Sequence, residues 1–255
     1  MCTLCNGQAD RRPGEGRKRA CGGPKMSQLK LSATHSPVQI DLFQGLDSKT
    51  VKLLLAAASP RRYSAPCVIT HQGHPADYLM LLWKGRARYF YQAHNGRKMI
   101  LMWITPGDIF GGAALVFQPS NYLVSTEAVS GSVVLAWDAP TIRDLARRFP
   151  KILENALTLA LEHVTWYTAA YSSLTSRTAR ERLAHILVGL APSIGRRTAG
   201  GIELDVTNEE LAHSANITLF TVSRLLSDWQ NAGAIRKRRG RLILRSPEKL
   251  FLRVV

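Results

Sequence analysis

The stretch that most constrains this chain is VTNEELAHSANITLFTVSRLLSDWQNAGAIRKRRG, running from Val206 to Gly240. Thr207 can cap a helix, and Glu210, three residues on, can reach back to complete a capping box. A short helix over Asn208–Ser214 then turns Leu211 and Ala212 inward, and Ala215–Ile217 reads as a tight turn. Thr218 caps a second helix, Leu219–Asn231, in which Val222, Leu225, Leu226 and Trp229 fall at i, i+3, i+4 and i+7. That spacing buries one stripe and leaves Thr221, Ser223 and Arg224 on other faces. Gly233 closes the helix at a C′ position. A basic turn, Arg236–Arg241, and a strand, Leu242–Arg245, follow. Helix, turn, helix and basic hairpin together read as a winged helix-turn-helix, an architecture whose second helix enters the DNA major groove. Two short capped helices alone would fit an ordinary helical hairpin with a solvated charge run equally well.

What separates the two readings is TVSRLL followed by NAGAI and a wing, which resembles the DNA-binding end of the Crp/Fnr superfamily of bacterial transcription regulators. The resemblance implies sequence-specific binding to double-stranded DNA, a homodimer on an inverted repeat, and contact with RNA polymerase. It places Arg224 where the family carries a base-reading arginine, and a guanidinium can bond bidentately to guanine O6 and N7. Ser223 matches a serine that meets base or phosphate in the Fnr-like branch. Thr218 and Thr221 lie at the helix start, where hydroxyls and N–H groups can hold phosphate. Arg236, Lys237, Arg238, Arg239 and Arg241 are the expected phosphate contacts of the wing. One position departs from the family: Phe220 stands where a glutamate is usual. Phe220 cannot accept from cytosine but can pack on a thymine methyl, so an altered half-site is expected unless the ring is buried locally.

Charge supports the same end of the molecule. Net charge is +16, and residues 177–255 carry 14 of the 34 Lys and Arg against seven of the 18 acids. A phosphate backbone is the partner such a bias fits. No run approaches the roughly 18 apolar residues of a membrane helix, and no apolar leader precedes the basic N-terminal stretch, so no membrane partner and a cytoplasmic location are expected. Residues 1–35 are rich in Gly, Arg, Lys, Pro and Ser without apolar periodicity and read as a disordered basic tail; Met26 is an alternative start.

From Arg62 to Asp138 short strands alternate with turns: Cys67–His71, Tyr78–Trp83, Arg86–Gln92, Lys98–Ile104, Tyr122–Ala128 and Ser132–Trp137. That beat predicts a small barrel or jelly roll, and NGRKMILMWITPGDIFGG resembles the central hairpin and glycine turn of a cyclic-nucleotide-binding-type β-roll. The expected fold is therefore α+β. An antiparallel jelly-roll-like β-roll takes residues 36–149, a dimerisation helix 150–176, and a winged helix-turn-helix 177–255. Along the middle helix Leu153, Leu157, Ala160, Val164, Tyr167 and Leu174 recur at coiled-coil spacing, with Leu161, Thr168 and Tyr171 beside them. A further helix is expected over Ala179–Leu190, then a loop over residues 191–201.

The resemblance also implies an effector pocket walled by Gly107, Gly111, Gly112, Ala113, Tyr122 and Leu123. The nucleotide-sensing branch uses a glutamate and an Arg–Ser pair there; this chain has Gly112 or Ala113 and Tyr122–Leu123. Without that arginine a buried phosphate lacks its counter-charge, so cyclic AMP is not the favoured ligand. Cys2, Cys5, Cys21 and Cys67 lack the tight spacing of the family's iron–sulfur sensors, and incidental cysteines are the better reading. Cys67, His71, His74 and His94 are candidate haem ligands on composition alone. The effector is left unknown. An enzyme is not expected: the sequence has no P-loop, nucleophile elbow or HExxH motif. The remaining alternative is a cyclic-nucleotide-type module acting on a partner protein, which would need neither the wing nor Arg224.

Overall fold

The computed structural model describes residues 40–118, 120–238 and 240–252. The N-terminal tail with Cys2, Cys5 and Cys21 lies outside them, as does Arg239. Helix α1 (Ser48–Ala56) starts where the Asp47 carboxylate accepts the Lys49 and Thr50 N–H groups at 2.8 and 2.9 Å. Eight short strands follow: β1 (Ser59–Tyr63), β2 (Cys67–Thr70), β3 (Tyr78–Lys84), β4 (Ala87–Gln92), β5 (Lys98–Ile104), β6 (Ile109–Phe110), β7 (Ser125–Ala128) and β8 (Ser132–Asp138). They form two four-stranded antiparallel sheets, ordered β1-β8-β3-β6 and β2-β7-β4-β5. The predicted β-roll is present, and both sheets share one core in which Leu79, Leu81, Leu82, Ile104, Phe110 and Trp137 are buried. The Trp137 indole donates to Leu54 O at 2.7 Å, fastening α1 to the roll.

Helix α2 (Ala139–Arg148), capped by Asp138, leads into α3 (Lys151–Ser176). The first turns of α3 pack on the roll through Ile152 and Asn155, whose amide donates to Leu42 O and Gln44 O. Beyond them α3 carries Leu157, Leu161, Val164, Tyr171 and Leu174 in the open, each more than two-fifths exposed.

The C-terminal unit consists of α4 (Ala179–Ile194), a hairpin of β9 (Arg196–Thr198) and β10 (Gly201–Leu204), α5 (Asn208–Ala215), α6 (Leu219–Asn231) and a second hairpin of β11 (Ile235–Arg238) and β12 (Arg241–Leu244). Its four strands run β11-β12-β10-β9. Leu183, Leu187, Leu211, Val222, Leu226 and Trp229 form its own core.

Four expectations change. The strand expected at Tyr122–Ala128 begins at Ser125, because Tyr122 pairs with the His74 loop instead: Tyr122 N donates to His74 O and Gly73 N to Tyr122 O. Polar β1 (SPRRY) escapes an apolar-alternation reading because it is an edge strand, held by β8 alone. Helix α4 runs through Pro192 to Ile194 instead of ending at Leu190, since Ala191 and Ile194 pack on the core and hold the last turn. The loop expected at 191–201 is therefore the end of that helix and a hairpin. Gly201 permits the hairpin: its φ is +126°, and a Cβ there would lie 2.2 Å from Leu244 O.

Candidate nucleic-acid interface

The head is assembled from local signals. Thr207 and Glu210 form the expected capping box, with Glu210 N donating to Thr207 Oγ1 at 3.1 Å and Thr207 N to Glu210 Oε2 at 2.7 Å. Asn216 ends α5 in the left-handed region at φ +52°, a conformation asparagine tolerates better than most residues, and this makes the turn. Thr218 then caps α6, accepting from Thr221 N at 3.1 Å, and its hydroxyl bonds that of Thr221 at 2.8 Å. With Val222, Leu225, Leu226 and Trp229 turned inward, Leu219, Phe220, Ser223 and Arg224 form the outer face.

Phe220 is 78% exposed, which excludes local burial of the ring. Arg224 is exposed and, among the described residues, belongs to no ion pair. The wing is less uniform than its sequence. Arg236 and Arg238 are exposed. Lys237 reaches back to α6, donating from Nζ to Ser227 Oγ at 3.0 Å, while its backbone N–H donates to Gln230 Oε1 at 3.1 Å. Arg241 lies 3.2 Å from Glu203, which also takes 2.7 Å from Arg196. The Arg196 hydrogen bond, with the charges of Arg196 and Arg241, holds the Glu203 carboxyl below its usual range. Thr207, Asn208, Lys237, Arg238 and Arg241 line a cleft of about 370 Å³ between the start of α5 and the wing. Three cations and the N-terminal turn of α5 border it, features that can hold phosphate.

Sequence reasoning missed the residues joining this head to the roll. Arg86 Nη2 meets Asp205 Oδ2 at 3.0 Å and its Nη1 donates to Asp205 O. Arg88 donates from Nε to Glu127 at 2.7 Å and from Nη1 to Glu210. Lys98 adds a second donor to Glu127 at 2.8 Å. The Trp103 ring lies 5.6 Å from the guanidinium carbons of both Arg86 and Arg88. No local pattern could show these pairs, whose members stand over 100 residues apart in the case of Arg88–Glu210 and Arg86–Asp205.

Of the residues of the implied effector pocket, Gly111 and Tyr122 lie side by side against Tyr78. Gly111 adopts φ +77°, and a Cβ there would lie 2.5 Å from Tyr78 O. The Tyr122 hydroxyl accepts from Tyr78 N at 3.0 Å and donates to Tyr78 O at 3.1 Å, so this side chain serves the strand backbone. Leu123 is 83% exposed and turned away. Neither brings a cation to the position where a cyclic phosphate would need one. Nearby, Tyr89, His163 and Tyr167 stack edge to face at 6.2 and 6.4 Å. Burial pushes both tyrosine hydroxyls up and the His163 imidazole down, favouring the neutral forms of all three.

The expected α3 seam needs correcting at two positions. Leu153 packs on the roll, and Tyr167 is half-buried against His163 and Trp166, because α3 lies along its own domain on that side. The open stripe keeps Leu157, Ala160, Val164 and Leu174 and takes Leu161 and Tyr171 in place of the other two. Cys67 is buried in β2. His71 and His74 lie with ring centroids 5.3 Å apart. Among the described residues no three His, Cys, Asp or Glu side chains converge as metal ligands, and no helix is long and apolar enough to cross a membrane.

Two family models match parts of the chain. A Crp-like helix-turn-helix domain matches residues 181–251, and a cyclic nucleotide-binding domain matches residues 60–149. The CRP-like cAMP-activated global transcriptional regulator of Mycobacterium tuberculosis is 23% identical over 214 residues, covering 83% of this chain and 95% of that protein. The cyclic AMP receptor protein of Thermus thermophilus is 28% identical over 195 residues, or 76% and 88% of the two chains. Among solved structures, the c-di-GMP responsive global regulator of Xanthomonas campestris shares the fold with a TM-score of 0.70 at 20% identity, over 78% of this chain and 99% of that one.

Proposed function

This chain belongs to the Crp/Fnr superfamily of DNA-binding transcriptional regulators, and from that premise we propose that it works as a homodimer reading an inverted-repeat operator, with the β-roll biasing the two heads. The observation that carries the reading is the outer face of α6, where Arg224 stands exposed, in no ion pair among the described residues, beside a buttressed basic wing. Arg224 reads a base edge; Ser223, Thr221 and Phe220 line the same groove; Thr218, Arg236, Lys237, Arg238 and Arg241 serve phosphates. Arg239, outside the described residues, belongs with the wing. Phe220 on a thymine methyl replaces a polar contact, so the half-site differs from that of relatives with glutamate.

The dimer rests on the α3 stripe. Five large apolar side chains in the open at roughly heptad spacing are what a partner helix would cover. Two parallel copies of α3 would set the heads about one helical turn of DNA apart. RNA polymerase as a further partner and a cytoplasmic location follow from kinship alone. Cyclic AMP is disfavoured as effector because the resemblance puts the family's Arg–Ser pair near Tyr122 and Leu123, and neither side chain supplies a cation.

Selection of bound duplexes from a random pool, followed by gel-shift titration, tests the proposal. An enriched inverted repeat bound with two chains per duplex supports it. Binding to no duplex at low ionic strength, with or without small molecules, ends it.

A further inference from the structure

Two side chains at the front of α6 break the pattern that the rest of the head follows. Among the described residues between Thr178 and Leu250, every large apolar side chain is buried or half-buried except Leu219 and Phe220, which are 55% and 78% exposed. They are the first two residues of α6. Val222, Leu225, Leu226 and Trp229 complete the buried stripe of this helix; at 3.6 residues per turn Phe220 stands opposite that stripe and Leu219 at its edge. Phe220 shares its face with Arg224 one turn on, and Leu219 shares its own with Ser223. Core packing therefore does not call for the Phe220 ring.

The same face is equally particular in what it lacks. The first carboxylate along α6 is Asp228 and the first amide Gln230, both in the rear half of the helix. Gln230 already accepts from Lys237 N. Cytosine N4, which needs an acceptor, and adenine, which Asn or Gln reads bidentately, thus meet no carboxylate or amide at the front. The Thr218 and Thr221 hydroxyls bond each other at 2.8 Å. Arg224 suits guanine, and the apolar feature left for a neighbouring side chain is the 5-methyl group of thymine. Four residues of helix span about 6 Å, roughly two base-pair steps.

We propose that Phe220, flanked by Leu219, recognises the 5-methyl group of a pyrimidine close to the guanine of Arg224, and that the protein accordingly accepts 5-methylcytosine in place of thymine there. The proposal rests on the regulator reading above and names the atoms on DNA that fix the half-site. Cytosine carries a hydrogen at C5 where thymine carries its methyl. The two also differ at position 4, an amino group against a carbonyl oxygen, and the hydroxyls of Thr221 and Ser223 can donate or accept and so suit either. Methylation of cytosine at the contacted pair then supplies the contact that thymine makes. Affinity for such a duplex becomes a function of its methylation state.

The test takes the duplex selected by the full chain, replaces its thymines one at a time by deoxyuridine, which lacks only the methyl, and reads affinity by gel shift. Burying one methyl is worth about 0.8 kcal/mol, or roughly fourfold in affinity. One or two positions per half-site should show that loss with uracil. At those positions 5-methylcytosine should bind about fourfold tighter than cytosine. Phe220→Ala, at an exposed site where alanine favours the helix, should bind thymine and uracil duplexes alike at the position the ring contacts, and Leu219→Ala should do so at its own. Indifference to uracil at every position overturns the proposal. So does a Phe220→Ala chain that loses affinity for both duplexes by the same factor, which would assign the ring to another role, such as a wedge between base steps. A chain that selects no duplex sinks the regulator reading and this proposal together, whereas a selected duplex indifferent to uracil sinks this proposal alone.

Discussion

Arg88 of β4 and Glu210 of α5 are bound to each other across the boundary between roll and head, while each also serves its own domain. Arg88 Nε donates to Glu127 on the adjacent strand, and Glu210 Oε2 closes the cap of α5 by accepting from Thr207 N. All three charged side chains are less than one-fifth exposed. Removing one member of a buried ionic group leaves the others uncompensated. Arg88→Ala should therefore cost about 3 kcal/mol in urea unfolding, with roll and head melting as separate steps. Arg86→Ala should cost under about 1 kcal/mol, since Asp205 is well exposed.

Acid should loosen the same boundary. Burial alone would raise the Glu127 carboxyl, but the hydrogen bonds and charges of Lys98 and Arg88 outweigh it and hold it below the usual range. A carboxylate depressed in the folded state contributes stability that is complete above its unfolded pKa, near 4.5, and is lost as pH falls through the lower folded value. Unfolding midpoints measured between pH 6 and pH 3 should fall in the lower part of that range, and Glu127→Gln should flatten the fall.

The open stripe of α3 predicts how the chain assembles. A charge at its centre, Val164→Glu or Leu157→Glu, faces solvent in the monomer and would be desolvated in a dimer. Sedimentation should show a dimer for the parent and a monomer for either variant, with the far-ultraviolet spectrum unchanged. Operator affinity should then fall steeply, because one head binds a half-site alone.

Base reading and phosphate gripping should separate in salt. Arg224→Ala should weaken the selected operator by about 1–3 kcal/mol and relax one base position, with a nearly unchanged salt slope. Arg238→Ala should weaken all duplexes alike and lower the slope by about one per half-site. A gel-shift series from 50 to 200 mM salt distinguishes the two.

Sequence made the head legible because its signals are local: the Thr207–Glu210 box, the Thr218 cap, the apolar stripe of α6 and Gly233 each act within a few residues. Alternation and turn residues showed the strands of the roll for the same reason. Polar β1 was hidden because its place depends on β8, whose partner residues lie 69 to 77 positions further on. The helix expected to end at Leu190 runs on through Pro192 because Ala191 and Ile194 pack on the core, which local sequence does not show. The α3 seam was read with Leu153 and Tyr167 in it, since heptad spacing cannot tell which flank the roll covers. The Arg86 and Arg88 pairs depend on tertiary docking, which no window of residues displays.

The bond from Lys237 to Ser227, with that from Lys237 N to Gln230, makes β11 and α6 a single stiff tool. Cations on the hairpin and the guanidinium on the helix then sit at a fixed offset, and the protein has little give with which to adjust it. The duplex must supply the compliance instead, by bending or by narrowing its minor groove. Base pairs that no side chain touches would thus be selected for how easily they flex.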